Sequence, residues 1–408
     1  MDVRREIEDL VAIGRRGPGT DAERRAARHL EGRLRDLGRA AAVEHVDAWP
    51  NWPISYALFV VLAIVGSALS VAKPALGGAF VLVATLAVFA DATSLLTLPR
   101  RVAGRRASQN VVSTEQGAKP GTLVLVAHYD AGRTGLVFAR WVQERRALLG
   151  RTMRRAIGPF EPLLWAEVVL LACCVLRLVG VSGPVLTTVQ FVCTAGLIIA
   201  VALLVDVAVS AVVPGANDNA SGVAVALALA DRHGGRLEHF HLCVLFTGAQ
   251  EALSAGMRAF MRGRRRQLDR QRAVFLNLDE VGAGTVRFTR REGTLVALRS
   301  HDQLVQLCEQ IVDDDEEGRA FAARGLVPRV PTDAYVAQLA GFPAITVCCR
   351  NALDYTPEHH RLGDVPARVD DRSLERAIGF CSELIRRVDA DLGPELRREP
   401  TVLREPAS

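Results

Sequence analysis

Two pairs of long apolar runs limit what this 408-residue chain can fold into. The runs occupy residues 54–72, 75–98, 163–181 and 185–213. Each is close to the roughly 20 residues that a helix needs to cross a bilayer. A mean hydropathy of +0.17 also favours membrane spans over an ordinary soluble domain. We therefore predict two transmembrane helical hairpins, at 54–98 and 162–213. Helical hairpins buried in a large soluble core are the alternative.

Each predicted hairpin is flanked by one arginine-rich segment. These segments lie at 99–106, after the first hairpin, and at 140–155, before the second, whereas the two turns inside the hairpins carry almost no charge. The positive-inside rule then places the connecting segments and both termini in the cytoplasm. Basic residues beside a span favour anionic lipid headgroups as a partner. We expect a multi-pass protein of the cell membrane that contacts the lipid bilayer and has no nucleic-acid partner.

Four charged residues interrupt the apolar runs, namely Asp91, Glu167, Arg177 and Asp206. A charge at the centre of a bilayer costs about 2.5–3.5 kcal/mol on the insertion scale. We expect these side chains to lie near the ends of the spans or to face other helices.

Outside the hairpins the pattern is α/β. Short runs rich in Val, Leu and Ile, without polar alternation, indicate a sheet covered by helices on both faces. The predicted organisation is N-terminal helices at 1–50, the first hairpin at 54–98, the first core strands at 108–135, a basic juxtamembrane segment at 136–160, the second hairpin at 162–213, the remaining half of the domain at 214–392 and a disordered tail at 393–408.

Acidic residues and imidazoles follow the predicted strands where each one ends. The candidates are His128 and Asp130, Gln250 and Glu251, Asp279, Asp218 in the GANDNASG turn at 215–222, and His359 and His360 in a late loop. Ligands of open α/β sheets gather beyond the carboxyl ends of strands, so these side chains can converge. Taken alone, Asp218 in its tight turn is equally suited to capping the following helix.

His128, one histidine of the late loop and the carboxylates of Asp218, Glu251 and Asp279 form an ordered set along the chain. Two imidazoles and three carboxylates suit a pair of divalent ions about 3.5–4 Å apart. Nitrogen and oxygen ligands favour zinc, although manganese or cobalt would also fit. The chain has 8 cysteines but no C-x-x-C pair, so a zinc site built on thiolates is not expected.

These motifs resemble the co-catalytic zinc aminopeptidases of the aminopeptidase Y and bacterial leucyl aminopeptidase type. The matching segments are His128-Tyr129-Asp130, GANDNASG, GAQE at 248–251, LDEVG at 278–282 and PEHHRLGD at 357–364. The resemblance implies a three-layer sandwich around a mixed sheet, interrupted by the two hairpins as insertions. It also implies two zinc ions and the removal of N-terminal residues from peptides, or hydrolysis of another amide, by metal-bound water.

Carried over to this chain, the resemblance assigns a role to each motif residue. His128 and Asp279 would hold one ion, Glu251 and His360 would hold the other, and Asp218 would bridge the two. His360 is preferred to its neighbour because it keeps the family spacing to the acid at 364. The carboxylate of Asp130 would lie behind His128 and orient its ring.

One position departs from the family. Gln250 stands where the family has the general-base glutamate, and loss of a general base typically costs about 10²–10⁴-fold in rate. Glu280 is not expected to act as the general base instead. Its neighbour Asp279 is expected to point into the site, and adjacent residues of a strand point to opposite faces. An inactive metal-binding protein that holds peptides or acts as a scaffold is therefore the alternative to a peptidase, and amide transfer or cyclisation with one zinc is a third hypothesis. The sequence determines neither the oligomeric state nor the preferred side chain of the substrate.

Overall fold

The computed structural model describes residues 1–93, 96–97, 99–153, 155–315, 318 and 320–393. The disordered tail predicted at 393–408 lies, apart from Gly393, outside the described residues.

An eight-stranded mixed sheet forms the centre of the fold. Its order is β1-β2-β4-β3-β5-β10-β6-β9, and a separate two-stranded ribbon pairs β7 with β8. The strands are β1 (Ala42–Ala48), β2 (Arg106–Thr114), β3 (Gly121–His128), β4 (Phe240–Thr247), β5 (Ala273–Leu278), β6 (Thr285–Thr289), β7 (Arg291–Glu292), β8 (Leu298–Arg299), β9 (Arg324–Leu326) and β10 (Ala344–Arg350). The central strands β4, β3, β5 and β10 are parallel, so their carboxyl ends meet at one edge.

Helices cover both faces of this sheet. The helices of the chain are α1 (Val3–Ala12), α2 (Asp21–Asp36), α3 (Trp52–Ser70), α4 (Pro74–Ala92), α5 (Arg140–Thr152), α6 (Glu161–Leu178), α7 (Pro184–Val209), α8 (Gly222–His233), α9 (Ala255–Arg264), α10 (Asp302–Asp313), α11 (Asp333–Leu339) and α12 (Asp371–Arg387). One apolar core joins the sheet to α1, α2, α8, α10 and α12, and a second joins it to α9 and α11. The predicted α/β fold, a mixed sheet between two layers of helices, is confirmed.

The N-terminal segment differs in part from the prediction of helices throughout residues 1–50. The helices α1 and α2 form, but residues 42–48 make the edge strand β1, which pairs antiparallel with β2. Val46 and Ala48 are buried while the residues between and before them are partly exposed. This short alternation of buried and exposed residues has the two-residue period of a strand. Pairing with β2 makes the segment a strand and not a helix.

The four apolar runs form the helices α3, α4, α6 and α7, which share an apolar core of their own. Within the part of the chain that the structure describes, α3, α4 and α7 are long and apolar enough to cross a membrane. Helix α6 has 18 residues and carries Glu161, Glu167 and Arg177, so it falls short of that standard. The crossing of a bilayer by two complete hairpins stays a prediction.

The charged residues of these helices are placed as expected from their cost in hydrocarbon. Asp91 and Asp206 lie in the last turns of α4 and α7, Arg177 lies in the last turn of α6, and Glu167 is fully buried. Asp91 accepts hydrogen bonds from Arg100 Nε and from the Tyr56 hydroxyl, both at 2.8 Å. The buried charge of Asp91 at the end of α4 is thereby paired.

Candidate metal centre

The turn before α8 holds Asp218 in a fixed orientation. Its backbone begins at Gly215 with φ of 68°, a left-handed conformation that glycine adopts without strain. The carboxylate of Asp364 accepts hydrogen bonds from the backbone nitrogens of Asn217, at 2.7 Å, and Asp218, at 3.0 Å. Capping of α8 falls to Asn219, whose Oδ1 accepts from Gly222 N at 3.1 Å. The Asp218 carboxylate is therefore free of the capping role that the sequence left open.

The two carboxylate oxygens of Asp218 face two different pairs of side chains. Oδ1 lies 3.3 Å from His128 Nε2, which in turn lies 3.5 Å from Asp279 Oδ1. Oδ2 lies 3.3 Å from His360 Nε2, which lies 3.0 Å from Glu251 Oε1. The five residues that the sequence singled out as metal ligands are thus brought together in the order that the resemblance implies.

Asp130 lies behind this cluster and has two tasks. Its carboxylate accepts hydrogen bonds from the backbone nitrogens of Gln250, at 3.0 Å, and Glu251, at 2.9 Å. One of its oxygens also lies 3.4 Å from His128 Nδ1. Asp130 therefore fixes the ring of His128 and the loop that carries Glu251.

Glu280 and His359 also reach the cluster, so the expectation that the Glu280 side chain points away from it was wrong. That Glu280 does not replace the general base stays a prediction. Glu280 Oε1 lies 2.6 Å from His359 Nδ1, and His359 Nδ1 lies 3.3 Å from Asp218 Oδ2. Strand β5 ends at Leu278, and Glu280 has a left-handed φ of 55°. Because the chain has already left the strand, the alternation of side chains no longer applies, and Glu280 turns inwards.

Both histidines of the late loop approach the same oxygen of Asp218. Their rings are stacked with centroids 4.2 Å apart. Asp218, His359 and His360 could hold an ion as a group of their own, as could His128, Asp218 and Glu251. The contact with Glu251 is what sets His360 apart, since His359 contacts Glu280 instead.

Arg16 is a supporting residue that the sequence analysis missed. It is fully buried and donates to the backbone oxygens of Tyr129, at 2.9 Å, and Gly215, at 2.8 Å. Burial lowers the pKa of Arg16 to about 10, against the opposing effect of Asp364 and the other nearby carboxylates. The guanidinium thus ties the strand end that carries His128 to the turn that carries Asp218. An isolated arginine in a loop gives no signal of this role in the sequence.

The electrostatics of the cluster suit a divalent cation. Burial raises the pKa values of Glu251 and Asp279. Burial disfavours the charged form of His128, but its contacts with three carboxylates outweigh burial and raise its pKa well above the usual value. Asp218 Oδ2 is buried and accepts no hydrogen bond from the residues that the structure describes. A buried oxygen without a donor, among imidazoles and carboxylates, fits zinc, which such ligands bind after losing their protons.

The cluster opens into a cavity of about 890 Å³. Gln250 lines this cavity beside Glu251, together with Glu280 and His359. The opposite wall consists of residues from the apolar helices, including Trp52 on α3 and a series of positions on α7. The candidate site is therefore shared between the sheet and the helices.

A solved Zn-dependent exopeptidase shares this fold. Residues 204–385 match peptidase family M28. The chain therefore carries a peptidase family M28 domain, which confirms the resemblance drawn from its motifs. No curated protein sequence matches the chain.

Solved structures of the same fold fall into two groups. A Zn-dependent exopeptidase from Parabacteroides distasonis is 13% identical, with a TM-score of 0.53 over 94% of this chain and 96% of that chain. An aminopeptidase from Aneurinibacillus sp. is 14% identical, with a TM-score of 0.53 over 100% of this chain and 96% of that chain. A glutaminyl cyclase from Bacteroides thetaiotaomicron is 13% identical, with a TM-score of 0.54 over 94% and 96%. At these identities the likeness establishes the fold.

Proposed function

We propose that this protein is a membrane-anchored, zinc-dependent peptidase that hydrolyses the amide bond at the N-terminus of peptides. The observation that carries the proposal is the division of Asp218, whose two oxygens face two separate pairs of ligands. In this arrangement His128 and Asp279 would hold one zinc ion, Glu251 and His360 would hold the other, and Asp218 would contribute an oxygen to each. When bound, zinc supplies Lewis-acid activation of the amide carbonyl and a lowered pKa for water.

The residues of the chain position the reactants around this centre. Asp130 keeps the ring of His128 and the loop of Glu251 in place through the contacts described above. Gln250 lines the cavity next to Glu251 and can hold a water molecule or the substrate by hydrogen bonding. Its amide cannot take a proton from water and return it to the leaving amine. The reaction would therefore proceed with weaker proton transfer than in an enzyme with glutamate at this position.

Gln250 also supports a second function. A chain that keeps all five candidate ligands but lacks the general base could bind metal and peptides without hydrolysing them, as a sensor or scaffold. Glutaminyl cyclases share the fold, which supports cyclisation as a third candidate function. The presence of the His128–Asp279 pair beside the Glu251–His360 pair favours a site with two ions over one with a single zinc.

The apolar helices support membrane anchoring. Three of them are long and apolar enough to span a bilayer, and the arginine-rich segments that flank them favour a cytoplasmic peptidase domain. We propose on this basis that the cluster faces the cytoplasm close to the membrane surface.

Hydrolysis by the wild-type protein beside Gln250→Glu tests the proposal. Both proteins are loaded with zinc, their metal content is measured, and each is given a peptide library with free or acetylated N-termini. We expect slow removal of N-terminal residues by the wild type and a rate about 10²–10⁴-fold higher for Gln250→Glu. Gln267→Glu, an exposed substitution of the same kind, is the matched control and should change nothing. Zinc-loaded protein that is inactive in both forms would reject the peptidase and leave the metal-binding scaffold.

A further inference from the structure

The cavity beside the candidate metal centre continues along one face of α7. The α7 residues that line it are Gly196, Leu197, Ile199, Ala200, Leu203, Leu204 and Val207. These positions recur three and four residues apart, which places them in one stripe of the helix. From Val207 to Gly196 the stripe extends about 16 Å at the usual helical rise. One wall of the cavity is therefore a long apolar groove.

Phe138 connects this groove to the candidate ligands. Its ring centroid lies 4.4 Å from that of His360 and 5.6 Å from that of His359. The segment Leu136–Phe138 is fixed to the end of α7, because Leu136 N donates to Asp206 Oδ2 at 2.6 Å. An apolar path therefore runs from the two histidines through Phe138 to the stripe of α7.

The far end of the groove lies at the middle of α7, away from its ends. Gly196 falls at the centre of Pro184–Val209, and Ile199 is 61% exposed although it lines the cavity. The cavity thus reaches the protein surface at this level. If α7 spans a bilayer, this opening faces the hydrocarbon interior, and a ligand enters it from the lipid.

The groove suits an alkyl chain better than a peptide. The seven α7 positions offer only aliphatic side chains or glycine. These side chains give no hydrogen-bond partner to the backbone N–H and C=O groups of an extended peptide, and burying such a group without a partner costs several kcal/mol. An alkyl chain brings no polar groups, and each buried methylene is favourable.

We propose that the substrate is an amide that carries a long alkyl chain, with its scissile bond at the candidate metal centre and its alkyl chain along α7. This inference rests on the proposed hydrolase function. Water adds across the amide, so that a C–O bond forms, the C–N bond breaks and a proton passes to the departing nitrogen. The products are a carboxylic acid and an amine, one of which carries the alkyl chain. No oxidant or reductant is needed.

The first arm of the test measures hydrolysis as a function of chain length. The full-length, zinc-loaded protein in detergent is given leucinamides with N-alkyl groups from methyl to dodecyl, and N-acyl leucines from acetyl to dodecanoyl. We expect kcat/KM in at least one series to rise by up to about fourfold per methylene until the groove is filled. A flat response in both series, with the methyl amide still cleaved, would overturn the inference and leave the peptidase standing. Faster cleavage of an oligo-leucine peptide than of any long-chain amide would also overturn it.

Two substitutions on α7 make the comparison specific to the groove. Ala200→Phe narrows the groove, and Ile198→Phe adds the same ring at a neighbouring position that does not line the cavity. We expect Ala200→Phe to lower the dodecyl-to-methyl ratio of kcat/KM by about tenfold, the effect of roughly two methylenes. Ile198→Phe should keep the wild-type ratio. Equal ratios in the two variants would count against the groove.

The second arm needs no turnover. N-dodecyl leucinamide with a diazirine at the chain terminus is photolysed with the protein, and the labelled residues are mapped by mass spectrometry. We expect labelling of the Ala200–Leu203 face that unlabelled N-dodecyl leucinamide suppresses, and only unsuppressed labelling at Ile198. Suppressible labelling without hydrolysis would support alkyl binding and reject the hydrolase. Absence of suppressible labelling on the groove would overturn the inference whether or not short amides are cleaved.

Discussion

The sheet and the apolar helices place charged side chains in different surroundings. In the sheet, parallel strands end at one edge and bring His128, Glu251 and Asp279 towards a single carboxylate, Asp218. Their charges remain available to a ligand because the polar groups around them hold their backbones in place. In the helices, the buried carboxylate of Asp91 forms an ion pair with Arg100 and accepts a hydrogen bond from the Tyr56 hydroxyl. The sheet thus arranges charge for binding, whereas the helices pair the charge of Asp91.

The two regions nevertheless meet at the loop that carries Gln250 and Glu251. Trp52 Nε1 donates to the backbone oxygen of Glu251 at 3.0 Å, and Arg100 Nη1 donates to that of Leu253 at 2.9 Å. Both donors belong to the first hairpin or to the turn that follows it. The helices therefore form part of the candidate site, in addition to their proposed role as a membrane anchor. The following predictions test this division of tasks.

The largest effect is expected in the sheet. Asp218→Ala removes the carboxylate that faces both pairs of candidate ligands, so zinc binding should be lost. Metal content after dialysis against a weak chelator measures this loss. Asp231→Ala, an exposed aspartate on α8, is the matched control and should keep its metal. Full retention of zinc by Asp218→Ala would discard the site described above.

A smaller effect is expected at the foot of the helices. Arg100→Met leaves the Asp91 carboxylate buried without its cation, which typically destabilises a protein by about 3–5 kcal/mol. The thermal midpoint of the protein in detergent should fall, and zinc should dissociate faster because the backbone oxygen of Leu253 loses the Arg100 donor and keeps that of Arg258.

The control for this variant is Arg101→Met, because Arg101 is exposed and should change neither quantity. Adding Asp91→Leu to Arg100→Met removes the unpaired charge and should restore much of the thermal midpoint. Equal midpoints for Arg100→Met and Arg101→Met would show that the ion pair contributes nothing measurable.

The smallest effect isolates a single hydrogen bond between the two regions. Trp52→Phe keeps an aromatic ring against Tyr56 and Phe160 but removes the donor to Glu251. The net value of such a bond is about 0.5–1.5 kcal/mol, so zinc affinity should fall about two- to tenfold. Competition with a fluorescent chelator measures the affinity. Trp165→Phe, at a site that is 63% exposed, should leave it unchanged, and the same loss in both variants would contradict a role for the hairpin at the site.

Much of the candidate site could be predicted from the sequence because His128, Glu251 and Asp279 lie at or shortly after the ends of apolar strands. Each strand end fixes a direction, and the parallel order of β3, β4 and β5 makes those directions converge. Glu280 was misjudged because a left-handed residue after a strand reverses a side chain without any signature in the sequence. Arg16 was missed because two of the backbone oxygens that it contacts, those of Tyr129 and Gly215, lie more than a hundred residues away.

The sequence by itself determined the α/β sheet, the four apolar helices and the residues of the candidate metal centre. Local patterns carry these features, since hydrophobic periodicity and the residues at strand ends depend on neighbours in the chain. Only the tertiary structure decided that α7 and Phe138 line the cavity and that Trp52 holds the Glu251 loop. Such contacts join segments far apart in the chain, and they arise from the packing of the helices against the carboxyl edge of the sheet.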